Sequence, residues 1–330
     1  MQITIVKPGI FTTVQDLGRV AYLGQGVPLS GAMDRTSCIL SNLAVGNTEN
    51  EATLEFTYAN AAFTADTDLM ISYCGYGATL SINNMLIPSV RPIFIPKGST
   101  VKLENNTTGT RTYVAIAGGW ELPEIMGSKS TYITGNFGGF KGRSLLKGDV
   151  LTSGNPMTST SEKIFSDLSK VNPNYPSWYI THRIPKPYND TIQLRIVPGP
   201  EFSWFDSDSI LSFFSETYTI GRNGNRMGLN LKGKKIIRKG IAELLSTAVA
   251  PGTIQVSGDG SIIILMSDCQ TIGGYPRIAQ VAAVDLSICG QLKPDDKIEF
   301  IAISKEEAEI LYLDQRKDFT KIAASIAIKY

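Results

Sequence analysis

At 330 residues, with 42% hydrophobic and 18% charged residues, the chain is long enough for two domains and too apolar to be disordered. Its 31 Lys and Arg nearly cancel its 30 Asp and Glu, so a net charge of +1 provides no electrostatic footprint for nucleic acid or an anionic membrane. The longest apolar runs, such as Ile262–Met266, fall far short of the roughly 20 residues that span a bilayer.

The chain opens as Met1-Gln2-Ile3-Thr4-Ile5-Val6-Lys7, which reads as a strand and not as a signal peptide. Gly (31) and Pro (16) then separate short runs rich in Val, Ile, Thr, Phe and Tyr. Strands are predicted at Gln2–Val6, Leu69–Tyr73, Thr100–Leu103, Arg111–Ala117, Gln193–Val197, Ile262–Met266 and Lys297–Ile303. A helix is predicted over Asp34–Val45, and a second from Lys305 to about Ile326, with Ser304 as its cap and Glu306 and Glu307 in its first turn. The resulting class is mostly β, barrel or sandwich, with few helices and one of them C-terminal.

A weak internal repeat supports two related barrels. Glu55-Phe56-Thr57 leads to Asp68–Gly75, as Glu243-Leu244-Leu245 leads to Ile264–Gln270; each block is followed by a turn and a strand pair, at Pro96–Val101 and Pro294–Ile298. The expected division is a β-barrel-like domain over 1–152, a connector rich in Ser, Thr, Asn and Pro over 153–190, and a barrel with the C-terminal helix over 191–330.

The chemistry is constrained by what is missing. His182 is the single histidine, which leaves no histidine-rich zinc site and reads as a surface or packing residue. The four cysteines form no Cys-x-x-Cys pair and read as reduced, buried thiols of a cytoplasmic protein. Gly228–Lys235 approaches a Walker A spacing, but Lys235 stands where a hydroxyl must hold magnesium. No Gly-x-Gly-x-x-Gly opens a helix, no Gly-x-Ser-x-Gly elbow occurs, and no Met-Lys-Met tripeptide carries biotin. Three glycine-rich polar clusters remain: Gly24–Arg35 with Ser30, Asp34 and Arg35; Gly221–Gly228 with Asn223, Asn225 and Arg226; and Asp268–Arg277 with Gly273, Gly274 and Tyr275. Guanidinium, amide and backbone N–H groups on such turns suit carboxylate, phosphate or urea-like ligands. Each also has a plainer reading, a hairpin turn at Gly273–Pro276 or a buried ion pair at Arg226.

Lys7-Pro8-Gly9-Ile10-Phe11-Thr12-Thr13-Val14-Gln15-Asp16-Leu17-Gly18-Arg19, Gly26–Asp34, Leu43–Asn47, Ala117-Gly118-Gly119-Trp120, Gly127–Tyr132, Asn225-Arg226-Met227-Gly228 and Gln270–Pro276 carry a family resemblance over about residues 4–300. The chain resembles the family of the 5-oxoprolinase C subunit, also described as biotin-dependent carboxyltransferase-like, the second component of allophanate hydrolase, or KipI antagonist. The resemblance implies two cyclophilin-like β-barrels. It also implies an ATP-dependent hydrolase that opens the 5-oxoproline lactam to glutamate together with the 5-oxoprolinase A subunit, and with the KipI-like B subunit. ATP is then used through the complex, and no cofactor or metal is held by this chain alone. Biotin enters only in the alternative, a urea-type carboxylase in which a similar module forms the carboxyltransferase site. A non-enzymatic alternative is an antagonist that binds a KipI-like kinase inhibitor.

By the same resemblance, the catalytic residues are Asn225, hydrogen-bonded to the amide, Arg226, holding a carboxylate or phosphate, and Tyr275. Ser30, Asp34, Asn223, Gln270, Thr271, Gly273, Gly274 and Arg277 are the expected substrate-binding set. The sequence departs from the family pattern at Arg277, where lysine is common, and at Asn223-Gly224, where a serine-containing approach is common.

Overall fold

The computed structural model describes the chain apart from residues 155, 172, 183–189 and 241–243. It is mostly β with few helices, and divides into two compact units, each discontinuous in sequence. One comprises Met1–Arg19, Ser30–His182 and Lys317–Tyr330; the other comprises Val20–Leu29 and Arg183–Arg316. This differs from the three consecutive segments expected, because a short glycine-rich excursion and the end of the last helix each fall in the unit that their flanking sequence does not predict.

The first unit has a six-stranded and a five-stranded sheet. Ile3, Ile5, Phe63 and Val101 from the larger sheet and Leu54, Phe56, Ile71 and Val114 from the smaller fill one core. Burying each such side chain contributes about 1.5–3 kcal/mol, which drives the layering. Arg111–Ile116 is the middle strand of the smaller sheet, between Thr53–Thr57 and Leu69–Gly75, and all six of its residues are buried. Alternation fails there because the sheet is covered on both faces. Its other face carries the helix Arg35–Ala44, and Ile39 and Leu43 of that helix join a second core with Met70, Cys74, Ala115, Phe319 and Ile326.

Part of the expected connector is helical. Ser159–Leu168 forms a helix whose Thr158 cap accepts from the Ser161 N–H at 3.0 Å, and Ile164 and Leu168 are buried in the second core. The Ser and Thr richness that reads as a loop supplies the cap and an anchor, since the Ser161 hydroxyl also donates to the Val45 carbonyl at 2.6 Å.

The second unit closes by hydrogen bonds into a barrel of seven strands in the order Thr191–Pro198, Arg277–Val281, Thr253–Val256, Ile262–Leu265, Gly228–Lys232, Tyr218–Ile220 and Lys297–Ala302. Closure leaves no free edge within the barrel. A separate two-stranded ribbon, Thr247–Ala248 with Ile272–Gly273, is built from the loops. The repeat seen in sequence is not matched strand for strand. Thr253–Val256 and Ile262–Leu265 are hydrogen-bonded neighbours, whereas Ala61–Ala65 and Leu69–Gly75 lie in different sheets. Glu243, at the start of the second repeat block, lies outside the described residues.

Candidate functional site

The turn Gly221–Met227 joins two barrel strands, Tyr218–Ile220 and Gly228–Lys232. Asn225 shapes it: its Oδ1 accepts from the Met227 N–H at 2.7 Å and the Gly228 N–H at 3.3 Å, and its own N–H donates to the Gly228 carbonyl at 3.0 Å. This is an Asx turn. The Asn225 amide NH2 is the part of the side chain that the turn does not use, and Asn223 and Asn225 are both exposed.

Arg226, next in sequence, is buried. Its Nε and Nη2 donate to the two oxygens of Asp268 at 2.7 and 3.0 Å, and the Asp268 N–H returns a bond to the Arg226 carbonyl at 2.8 Å. The second and third sequence clusters are therefore brought together, by an ion pair between Arg226 and the first residue of the third cluster. That pairing commits the Nε/Nη2 edge of the Arg226 guanidinium to a carboxylate of the protein itself.

Past Asp268, Gln270 is exposed, Thr271 is half-buried with its carbonyl accepting from the Val249 N–H at 3.0 Å, and Ile272–Gly273 pairs with Thr247–Ala248. A Cβ on Gly273 would come within 2.7 Å of Gln255 Nε2, so glycine lets that side chain reach across to the Tyr275 carbonyl, where it donates at 3.1 Å. Gly274 and the Tyr275 ring are exposed. Cys269 is buried, and burial pushes its thiol up to about 12, which removes it as a nucleophile near neutral pH.

The loop ends on Arg277, which enters a barrel strand and lines a cavity of about 630 Å³ within the second unit. Thr271 also lines it, as do Gly24 and Gly26 of the first cluster, Ala248–Ala250, Gly199-Pro200, Thr253 and Gln280. Asn225 and Arg226 are not among the lining residues. Arg277 is gripped on one side by Glu201, with Nε to Oε2 at 2.8 Å and Nη2 to Oε1 at 2.7 Å, while Nη1 donates to the Ala248 carbonyl at 3.0 Å. The guanidinium holds the Glu201 carboxyl below its ordinary range, and Glu201 raises the pKa of Arg277 in return.

Glu201, Thr253 and Gln280 escape a reading of the sequence. Glu201 stands 76 residues from Arg277, and only the barrel, which sets Thr191–Pro198 beside Arg277–Val281, brings them together. Gly199 offers a partial signal: a Cβ there would come within 2.2 Å of the Arg277 carbonyl, so the Val197-Pro198-Gly199-Pro200 turn needs glycine to pack on that strand.

Ser30 and Asp34 belong to the first unit. Asp34 caps the helix Arg35–Ala44, accepting from the Ser37 N–H at 2.9 Å and the Ser37 hydroxyl at 2.6 Å. Ser30 is buried at a φ of 54° with its hydroxyl unpartnered. The following Gly31 has a φ of 82°, and a Cβ there would lie 2.7 Å from the Gly18 nitrogen. This backbone is set by contact between two motifs of the family signature.

A closed barrel with a cavity lined by Arg277, in a chain that also folds a two-sheet unit, defines a β-rich protein of two units. Its sequence makes the class specific: the chain belongs to the carboxyltransferase domain, subdomain A and B, family, whose pattern matches residues 25–302. It is 32% identical to the 5-oxoprolinase C subunit of Escherichia coli K12 over 97% of both chains. It is 35% identical to urea amidolyase of Lachancea kluyveri over 93% of this chain and 17% of that protein. The crystal structure of the K. lactis urea amidolyase superposes with a TM-score of 0.84 and 29% identity, covering 97% of this chain and 20% of that one. The chain thus spans nearly all of the E. coli protein and about a fifth or less of the two urea amidolyases. Among the described residues, no helix is long and apolar enough to cross a membrane.

Proposed function

We propose that this chain is the C subunit of an ATP-dependent 5-oxoprolinase, contributing part of a composite site that cleaves the 5-oxoproline lactam to L-glutamate with its partner A and B subunits. The observation that carries the reading is the 32% identity to the E. coli C subunit over 97% of both chains. A lactam is resonance-stabilised, so its opening calls for activation of the amide oxygen, for which ATP supplies a phosphoryl group. What this chain brings is binding and charge stabilisation: the Asn225 amide as donor, the Arg277 edge of the cavity, and backbone N–H groups of the Gly273-Gly274 loop. The four cysteines are buried, with thiol pKa values raised by burial, and the single histidine packs in the first unit, so this chain's contribution is not nucleophilic catalysis by a thiol.

The test is reconstitution. Glutamate release from 5-oxoproline and ATP should require this chain together with both partners, and the chain alone should show little ATPase or lactamase turnover. Robust turnover by the isolated chain sinks the composite-site reading.

A second reading draws on the match to Lachancea kluyveri urea amidolyase. In it the chain is the carboxyltransferase component of a biotin-dependent urea-type carboxylase, with the biotin delivered by a separate carrier. Restoration of activity only on adding a biotinylated carrier, with urea and not 5-oxoproline as acceptor, would establish it.

A further inference from the structure

Among the described residues, Arg277 is the one charged side chain that lines the cavity of the second unit. A guanidinium has five N–H donors. Three are engaged, two by Glu201 and one by the Ala248 carbonyl, which leaves two on a side chain that forms part of the cavity wall. Of the other polar lining side chains, Thr253 and Gln280 are committed, the Thr253 hydroxyl donating to Gln280 Oε1 at 2.9 Å and Gln280 Nε2 to the Pro251 carbonyl at 2.9 Å, and Thr271 adds a neutral hydroxyl. The remaining lining is largely Ala, Val, Ile, Leu, Pro and Gly. Such a cavity offers a compact apolar body a dry wall and an anion two charge-assisted donors.

Glu201 fixes where those donors sit. It is buried, and it accepts from the Arg277 backbone N–H at 3.0 Å as well as from the side chain, so one carboxylate locks both ends of the residue. The close seat of Gly199 on the Arg277 carbonyl holds the Glu201 turn against that strand. A lysine, with a single ammonium on a flexible stem, has no fork with which to bridge Glu201 and a ligand in this way.

We infer that this cavity selects a carboxylate-bearing cyclic amide over a neutral amide, with the two remaining N–H groups of Arg277 taking the carboxylate and Glu201 acting as the positioning residue. The inference rests on the 5-oxoprolinase reading for its substrate class. It places a carboxylate anchor at Arg277, which lines the cavity, whereas Arg226 does not.

The test is NMR titration of the full chain with 5-oxoproline, with 2-pyrrolidinone as the same lactam without its carboxylate, and with inorganic phosphate. Wild type should bind 5-oxoproline about 10- to 100-fold tighter than 2-pyrrolidinone, the range expected of hydrogen bonds to charged groups. Arg277→Gln should bring the ratio of the two affinities close to one, and Glu201→Gln should change that ratio, a pattern that general disruption, which lowers both affinities alike, would not give. The double variant E201Q/R277Q leaves no buried charge unpaired, so it guards against loss of folding, and it too should bind both lactams equally. A preference retained in the double variant, no 5-oxoproline binding by wild type, or Arg277-dependent binding of phosphate in place of 5-oxoproline would each overturn the inference. Arg277-dependent binding of 5-oxoproline, with no glutamate formed by the reconstituted assembly, would instead remove the assigned reaction and leave the site standing. Equal glutamate formation by wild type and R277Q would do the reverse.

Discussion

Arg226 and Asp268 hold each other through two hydrogen bonds of 2.7 and 3.0 Å, and both are buried. The pair ties the turn of one barrel strand pair to the loop that leads to the cavity. Removing one partner leaves an uncompensated buried charge, so Asp268→Ala and Arg226→Ala should each cost about 3–5 kcal/mol. Urea unfolding of the two single variants and the double variant checks this. The double variant should be far less destabilised than the sum of the singles, because it strands no charge. Near-wild-type stability of either single variant would show that the pair is not structural.

Ser304 and Glu307 form a reciprocal cap on the last helix, Lys305–Lys329. The Glu307 N–H donates to Ser304 Oγ at 3.0 Å, and the Ser304 N–H donates to Glu307 Oε2 at 2.8 Å. Ser304→Ala should destabilise by about 0.5–2 kcal/mol. Hydrogen exchange should show the loss concentrated in the first turns, because Phe319 and Ile326 anchor the far end in a core. Uniform loss of protection along the whole helix would count against this partition.

The Ser304 cap was legible because it is local, a Ser directly before a helical pattern with acidic residues in its first turn; the reciprocal bond from Glu307 is what the structure adds. The seven strands predicted from β-branched runs are likewise present, since each is a short local pattern bounded by turns. The site was less legible for a physical reason. Arg226 and Arg277 look alike in sequence, each an arginine at a glycine-rich turn, and each is gripped on its Nε/Nη2 edge by a carboxylate distant in sequence, Asp268 at 42 residues and Glu201 at 76. What separates them is the barrel, which puts Arg277 and not Arg226 on the cavity wall. Asp34 carries a structural role as well: opening a helix in a signature motif, its carboxylate accepts from Ser37 as a cap.

His182 is half-buried against the Tyr76 ring, 5.3 Å between centroids, with Nε2 3.2 Å from the Ser37 hydroxyl. Burial lowers its pKa, and the opposing pull of the Asp34 carboxylate does not restore it. In the window between the lowered folded value and the ordinary value near 6.5, the unfolded chain binds more protons than the folded one, so stability rises with pH and is lost as pH falls. Thermal melts between pH 7.5 and 5 should show a decline that His182→Asn reduces. An identical pH profile in the variant would remove His182 as the cause.

Asn225 separates a turn residue from a ligand residue within one side chain. Its oxygen is used by the Met227 and Gly228 N–H groups, while its NH2 is not used by the turn. Asn225→Asp keeps the acceptor and removes the donor, so the turn should survive with little change in stability. Asn225→Ala removes both and should cost about 0.5–1.5 kcal/mol, the worth of an ordinary hydrogen bond. If the amide donates to the lactam oxygen as charge develops, both variants should lower kcat/KM for glutamate formation by about 10-fold in the reconstituted assembly, with the loss in kcat and not in KM. An Asp variant with full activity would mean that Asn225 serves the turn alone, and the donor to the lactam oxygen would then have to come from the Gly273-Gly274 backbone.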